Sequence, residues 1–189
     1  MFGNKKENST IGESSQLITK GTTPTTLGYS FTHEGINFIK VENIENNIIS
    51  NKNLMHISYE CNDAMERSKL QKNDILFSIA GTLGKIAIIN EEVLPANTNQ
   101  ALAIIRVKGD KLNHKYLYYY LQQDKIKSEI TYLKVSGNRD NLSLEMIEGV
   151  KIYLPNEKEV NDFLTYEAEI DKLKFAIHRK NTPAKTHRG

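Results

Sequence analysis

The stretch Leu70–Val107, LQKNDILFSIAGTLGKIAIINEEVLPANTNQALAIIRV, constrains the fold of this chain more than any other. It holds three apolar runs, Ile75–Ile79, Ile86–Ile89 and Ala101–Val107. Each is rich in Ile, Leu, Val or Phe, too short for a helix, and bounded by Gly, Asn or Pro, which predicts buried strands. Ala80-Gly81-Thr82-Leu83-Gly84 joins the first two, with glycines where a tight connection needs positive φ or a close backbone approach. The second link, Asn90–Gln100, closes on Asn97-Thr98-Asn99-Gln100. Two readings of these links stand side by side. One is a meander with ordinary polar loops, and spacing alone favours it. The other brings Asn99 and Gln100 to one surface with Ser78, Thr82 and Lys85, the amides suited to a base edge and the lysine to a phosphate.

The flanking sequence adds mixed elements. Met1–Ser15 is polar and expected to fray, apart from Ile11-Gly12. Leu17-Ile18 then enter a Gly/Thr/Pro loop, Lys20-Gly21-Thr22-Thr23-Pro24-Thr25, whose threonines suit either self-capping or a phosphate, with self-capping the better reading for any one of them. Gly35–Val41 alternates as a strand with Ile36, Phe38 and Val41 inward, Asn43–Asn53 reads as irregular, and Ser58–Ser68 holds a short helix. Asn113 caps a helix running to about Ile130, with Leu117, Tyr120 and Leu121 on its apolar face. The Tyr116–Tyr120 cluster goes round that helix, which favours core and boundary packing over base stacking. Val135–Asn141 is a polar loop with Asn138 and Arg139, Ser143 caps a turn over Leu144–Glu148 closed by Gly149, and Val150, Ile152 and Leu154 alternate up to Pro155. From Glu157 to Lys180 the period changes: Phe163, Tyr166, Ile170, Leu173 and Ile177 recur at spacings of 3 and 4 between charged residues, a heptad seam.

Several functions are disfavoured. Cys61 is the only cysteine among 189 residues, so no internal disulfide forms and a reducing cytoplasm is expected. His33, His56, His114, His178 and His187 lack metal-ligand spacing. Gly81-Thr82-Leu83-Gly84-Lys85 fails as a P-loop, because Ile79 and Ile86 stand where Gly and Ser/Thr are required. No hydrolase elbow, nuclease Glu-x-Lys or Pro-Pro methyltransferase loop is present, which favours binding over catalysis. The net charge of +2 is a weak sign of nucleic acid, but Arg106–Arg139 carries eight basic residues against three acidic ones. A solvated helix face accounts for that surplus as readily as a phosphate-facing side.

Taken in order, the pieces resemble a known family. Lys20-Gly21-Thr22-Thr23-Pro24, Gly35-Ile36-Asn37-Phe38-Ile39, Asp74-Ile75-Leu76-Phe77-Ser78 with Gly81-Thr82-Leu83-Gly84, Asn99-Gln100-Ala101-Leu102, Tyr116–Leu121, Asn141-Leu142-Ser143 and Leu154-Pro155 follow one another as in a target recognition domain of a type I restriction-modification specificity subunit. The succession spans roughly Ile11–Lys180.

The resemblance implies a mixed α/β (α+β) fold, a twisted, partly barrel-like sheet domain over 1–155, a spacer and dimerisation helix over 156–180, and a polar tail over 181–189. It implies a non-catalytic, cytoplasmic, bacterial or archaeal protein that reads one half of a bipartite duplex DNA target. Its implied partners are methyltransferase subunits, which use S-adenosylmethionine, and restriction subunits. A full-length specificity subunit carries two recognition domains and two helices where this sequence has one of each, so a half-subunit or a fragment is expected, pairing as a homodimer through Phe163, Tyr166, Ile170, Leu173 and Ile177. Loop position and side-chain chemistry, rather than the resemblance, select Lys20, Thr22, Thr23, Thr25, Ser78, Thr82, Lys85, Asn97, Asn99, Gln100, Asn138 and Arg139 as DNA-facing candidates. Two alternatives remain: an interaction module or decoy that binds a methyltransferase and no DNA, and the recognition domain of a single-chain restriction-modification enzyme.

Overall fold

The computed structural model describes residues 5–136 and 140–181. In chain order its elements are β1 (Ser9–Thr10), α1 (Ile11–Ser14), β2 (Ser15–Lys20), β3 (Ile36–Ile39), β4 (Ile44–Glu45), β5 (Ile48–Ile49), β6 (Met55–Ile57), α2 (Tyr59–Ala64), β7 (Ile75–Ser78), β8 (Ile86–Ile88), β9 (Ala96–Thr98), β10 (Leu102–Val107), α3 (His114–Tyr120), α4 (Asp124–Ser136), α5 (Leu144–Glu148), β11 (Lys151–Ile152) and α6 (Glu157–Asn181). The fold is mixed α/β. Its strands form separate sheets, β2-β10-β7-β8, β6-β3-β9 and the pairs β1-β11 and β4-β5, and do not close into a barrel.

The three apolar runs become β7, β8 and β10 of the largest sheet, all antiparallel, with β10 between β7 and β2. As an interior strand β10 is buried on both faces, and Leu102, Ala103, Ile104 and Ile105 are all inaccessible. The link from β8 to β10 is not a plain loop: it leaves this sheet and lays β9 parallel to β3 in the second one. β3 is therefore shared between two cores by its alternation. Ile36 and Phe38 pack with Ile57, Cys61 and Met65, while Ile39 joins Ile44, Leu76, Ile89, Leu102 and Ile104.

Five local expectations are corrected. Residues 5–15 do not fray: Thr10 and Glu13 form a reciprocal capping box on α1, Ile11 is fully buried, and β1 pairs with β11. Asn43–Asn53 is not irregular, because Asn46 and Asn47, at φ 51° and 64°, close a two-residue hairpin between β4 and β5 that asparagine tolerates well. The helix from Asn113 is broken into α3 and α4. Gln122 and Gln123 donate side-chain hydrogen bonds to the carbonyls of Tyr118 and Tyr120, capping α3 before Asp124 opens α4. Val135 lies within α4, and Gly149 ends α5 in right-handed geometry at φ −76°, so no left-handed cap forms there. The tyrosines divide as boundary residues do: Tyr116 and Tyr120 are buried and stacked at 6.0 Å, and Tyr118 donates to the Asn47 carbonyl.

The chain divides into two compact units, one ending at Leu154 and one beginning at Pro155. The second consists of α6, opened by a reciprocal pair in which Asn156 and Glu159 side chains accept each other's backbone N–H groups at 3.0 Å. Among the described residues no helix is long and apolar enough to cross a membrane.

Inside the first unit, Asp74 has a fully buried carboxylate. Arg106 meets it with two hydrogen bonds, Nε to Oδ1 and Nη2 to Oδ2, both 2.8 Å, and the Gln71 N–H adds a third at 2.8 Å. This bidentate pair ties the start of β7 to β10. Removing one partner of a buried pair strands the other charge, which costs more than the pair contributes. Asp74→Ala is expected to destabilise the protein by about 3 kcal/mol, read as a lower urea midpoint with unchanged slope.

Candidate functional site

Antiparallel pairing decides which loops meet. β2 ends at Lys20, opposite Ala103, β7 ends at Ser78, opposite Leu102, and β8 begins at Ile86, opposite Phe77. All four strand ends therefore lie at one edge of the sheet. The connections that leave it there are residues 20–25, 79–85 and 99–101.

Contacts at this edge are close. Gly21 donates its N–H to the Asn99 carbonyl at 3.2 Å, and a Cβ on Gly21 would stand 1.7 Å from the Thr98 oxygen. Only glycine lets the two backbones approach this far. Thr23 Oγ1 lies 2.7 Å from Gln100 Oε1 and donates to it. An open cleft of about 380 Å³ follows, lined by Val41, Glu42, Ala80, Gly81, Thr82, Lys85, Asn99 and Ala101. Gly81 turns at φ 68° and Gly84 at φ 78°, as the link required.

The structure sorts the candidates into groups. Lys20, Thr25, Thr82 and Gln100 are exposed, and Thr22, Thr23, Lys85 and Asn99 are half-buried, all on the three converging loops. Ser78 and Asn97 are not on the surface. Ser78 is fully buried, donating to the Thr82 carbonyl at 2.6 Å and accepting from the Lys85 N–H at 2.8 Å, so its hydroxyl shapes the β7–β8 turn. Asn97 lies on β9 with its amide donating to Asn62 Oδ1 and the Met65 carbonyl, and its oxygen accepting from the Thr98 N–H. That amide is saturated from within. Lys85 is redirected too: Nζ donates to the carbonyls of Val41 and Ile44 at 3.1 and 2.9 Å, which holds the 41–44 segment against the β7–β8 turn. Asn138 and Arg139 lie outside the described residues.

Part of the basic surplus between Arg106 and Arg139 is engaged within the fold. Arg106 is neutralised by Asp74, Lys125 by Glu7 at 2.8 Å, and Lys108 Nζ donates to the Glu13 carbonyl. Sequence reasoning missed Glu42, a carboxylate on the cleft wall. Its bond with the Lys40 ammonium, helped by its own backbone N–H and the charge of Lys85, holds its pKa below the usual carboxylate value. No three His, Cys, Asp or Glu side chains gather as a metal site among the described residues.

On α6 the seam divides. Tyr166, Ile170 and Leu173 are exposed at 59%, 50% and 64%, whereas Phe163 of the same seam is buried. The Ile177 side chain lies outside what is described.

Comparison with known proteins places the geometry in context. A family model described as the type I restriction modification DNA specificity domain matches residues 4–181. The type I restriction enzyme EcoBI specificity subunit of Escherichia coli is 27% identical over 133 residues, covering 69% of this chain and 27% of that subunit. Among solved structures, the HsdS subunit from Thermoanaerobacter tengcongensis matches with a TM-score of 0.62 and 18% identity over 97% of this chain and 43% of its own. A chain from a structural study of complex assembly and conformational transition of the type I R-M system matches with a TM-score of 0.66 and 19% identity over 95% and 43%. This chain thus spans less than half the length of each of these relatives.

Gly21→Ala tests the joint between the loops. The added methyl has nowhere to go, and overpacking of this kind costs roughly 1–3 kcal/mol. The variant is expected to melt earlier and to lose protease protection first at residues 20–25 and 97–101, read by limited proteolysis with mass spectrometry.

Proposed function

The chain belongs to the family of type I restriction-modification DNA specificity domains, and on that premise we propose that it reads one half of a bipartite duplex target and docks the methyltransferase subunits that carry out the chemistry. The observation that supports this reading is the convergence of three hydroxyl-, amide- and lysine-bearing loops at one sheet edge of a domain matched to that family over 4–181. In this reading Lys20 and the threonines at 22, 23 and 25 approach the sugar-phosphate backbone, while Thr82, Asn99 and Gln100 face base edges. Ser78, Asn97 and Lys85 hold the loops in place from behind.

The protein is a binder without catalytic residues of its own. S-adenosylmethionine belongs to the methyltransferase subunits, ATP-driven cleavage to a restriction subunit, and the assembly works on cytoplasmic DNA. With a net charge of only +2, the isolated chain gains little from counterion release, so the complex binds more tightly than the chain alone. α6 supplies the assembly surface. Its exposed Tyr166, Ile170 and Leu173 stand at spacings of 4 and 3, which suits another helix rather than a sheet. A second copy of this chain, antiparallel and two-fold related, provides that helix and sets two identical readers at opposite ends of an interrupted palindrome.

Gel shifts on random duplexes, with and without methyltransferase subunits, separate this reading from a decoy that binds no DNA. Sequence-specific shifts are expected, strongest in the complex. Lys20→Ala is expected to weaken all sequences alike and to reduce the salt slope by about one. The purified chain is expected to neither methylate nor cleave, and S-adenosylmethionine-dependent transfer by it alone would overturn the assignment.

The helix has its own test in sedimentation. The unmodified chain is expected to sediment as a dimer when methyltransferase subunits are bound. Ile170→Asp with Leu173→Asp is expected to give a folded monomer that no longer recognises both half-sites.

A further inference from the structure

We propose that a second cleft, sharing the β7–β8 turn with the first, seats a backbone phosphate of the duplex on Lys127, an inference that rests on the DNA-reading function proposed above. The turn of residues 79–85 borders both openings. Thr82 and Lys85 line the cleft already described, together with Asn99. Leu83, Gly84 and Lys85 line another of about 390 Å³, bounded by Asn47 of the β4–β5 hairpin and by Lys127 and Thr131 of α4. An element entering the major groove has base edges before it and phosphates along both rims, so neighbouring clefts on one turn can serve different parts of one duplex.

Charge separates the two clefts. The first carries the Glu42 carboxylate, which repels a phosphate. The second is lined by no carboxylate among the described residues, and by two lysines. Lys85 Nζ is spent on the Val41 and Ile44 carbonyls, which leaves Lys127 as the available cation. Lys127 is exposed, and its ammonium has no partner among the described residues, Asp124 one turn earlier included, whereas Lys125 beside it is held by Glu7. Thr131 and Lys134 follow Lys127 at spacings of 4 and 3, on the same helix face. On the turn, the Leu83 N–H likewise has no acceptor among the described residues. A compact ammonium and an unbonded backbone N–H around one opening suit a phosphate oxygen. Because this opening shares its wall with the converging loops, the polyanion within reach is the duplex those loops engage rather than an acidic segment of a partner subunit.

The test uses the full chain bound to methyltransferase subunits, with target and scrambled duplexes titrated over a range of salt and thermal melts as the check on folding. Lys127→Gln removes the charge and keeps the length of the side chain, and Lys127→Arg keeps the charge. Lys111→Gln is the control, an exposed lysine beyond the opposite end of β10. Lys127→Gln is expected to weaken both duplexes alike and to lower the slope of log affinity against log salt by about one, with the Arg variant restoring it and the control leaving it unchanged. Target duplexes in which single phosphates are replaced by neutral methylphosphonates then locate the contact. One replacement is expected to weaken the unmodified protein and to leave Lys127→Gln unaffected.

An unchanged salt slope in Lys127→Gln would overturn the inference while leaving DNA reading intact. An equal fall in the Lys111→Gln control would reduce the effect to net charge and overturn it too. Altered preference at one base position would make Lys127 a base contact and equally exclude it. Weaker association with methyltransferase subunits at unchanged DNA affinity would assign the cleft to the protein partner instead. No sequence-specific binding by the unmodified complex would remove the underlying function and this inference with it.

Discussion

The meeting of three loops at one sheet edge depends on β10 being hydrogen-bonded on both sides. Because β2 and β7 are both antiparallel to it, their C-terminal ends must lie beside its N-terminal end, and every connection leaving those ends falls on the same side of the sheet. Burial of Leu102–Ile105 fixes the register, since a slip of one residue would turn the strand's side chains to the opposite faces. The Asp74–Arg106 pair acts in the same direction, joining the start of β7 to the far end of β10. The three loops converge as a result of the sheet and not of any attraction between them.

How tightly they then pack is a separate matter, decided by two kinds of contact. Gly21 permits backbone contact with Thr98–Asn99, and Thr23 meets Gln100 across the same seam. From beneath, Ser78 and Lys85 use side chains of the kind expected on a binding surface to satisfy backbone groups instead. A lysine whose ammonium bridges two carbonyls is a cross-link within the fold. Polar side chains around a cleft thus divide between those left facing outward and those that hold the outward-facing ones in place.

This division limits what sequence can tell. The strands β7, β8 and β10 were legible because apolar runs bounded by Gly and Asn have few alternatives, and α5 and α6 because cap and period agree. The capping box Thr10-Ile11-Gly12-Glu13 was equally present in the sequence and was overlooked among polar neighbours. Other features had no local signal. Asn97 and Asn99 are the same residue type two positions apart, yet one is on a strand buried against α2 and the other on the rim. What separates them is the departure of β9 into a second sheet, a non-local event. The break between α3 and α4 depends on glutamines folding back onto carbonyls, which composition does not distinguish from an unbroken helix. Phe163 and Tyr166 likewise share one heptad seam but not one environment.

The passage of the chain from β9 to β10 has a consequence for how such a protein changes over generations. Asn97 and Thr98 are held by Asn62, Met65 and Ile39, partners far away in the chain, so a substitution there disturbs the seat of β9 against both α2 and β3. The side chains of the next two residues, Asn99 and Gln100, bond only to the Ala101 N–H and to Thr23 among the described residues. Within four consecutive positions the mutational cost falls from that of a keystone to that of a replaceable tile. Substitutions at the rim can be made one residue at a time, without the domain having to refold around each trial.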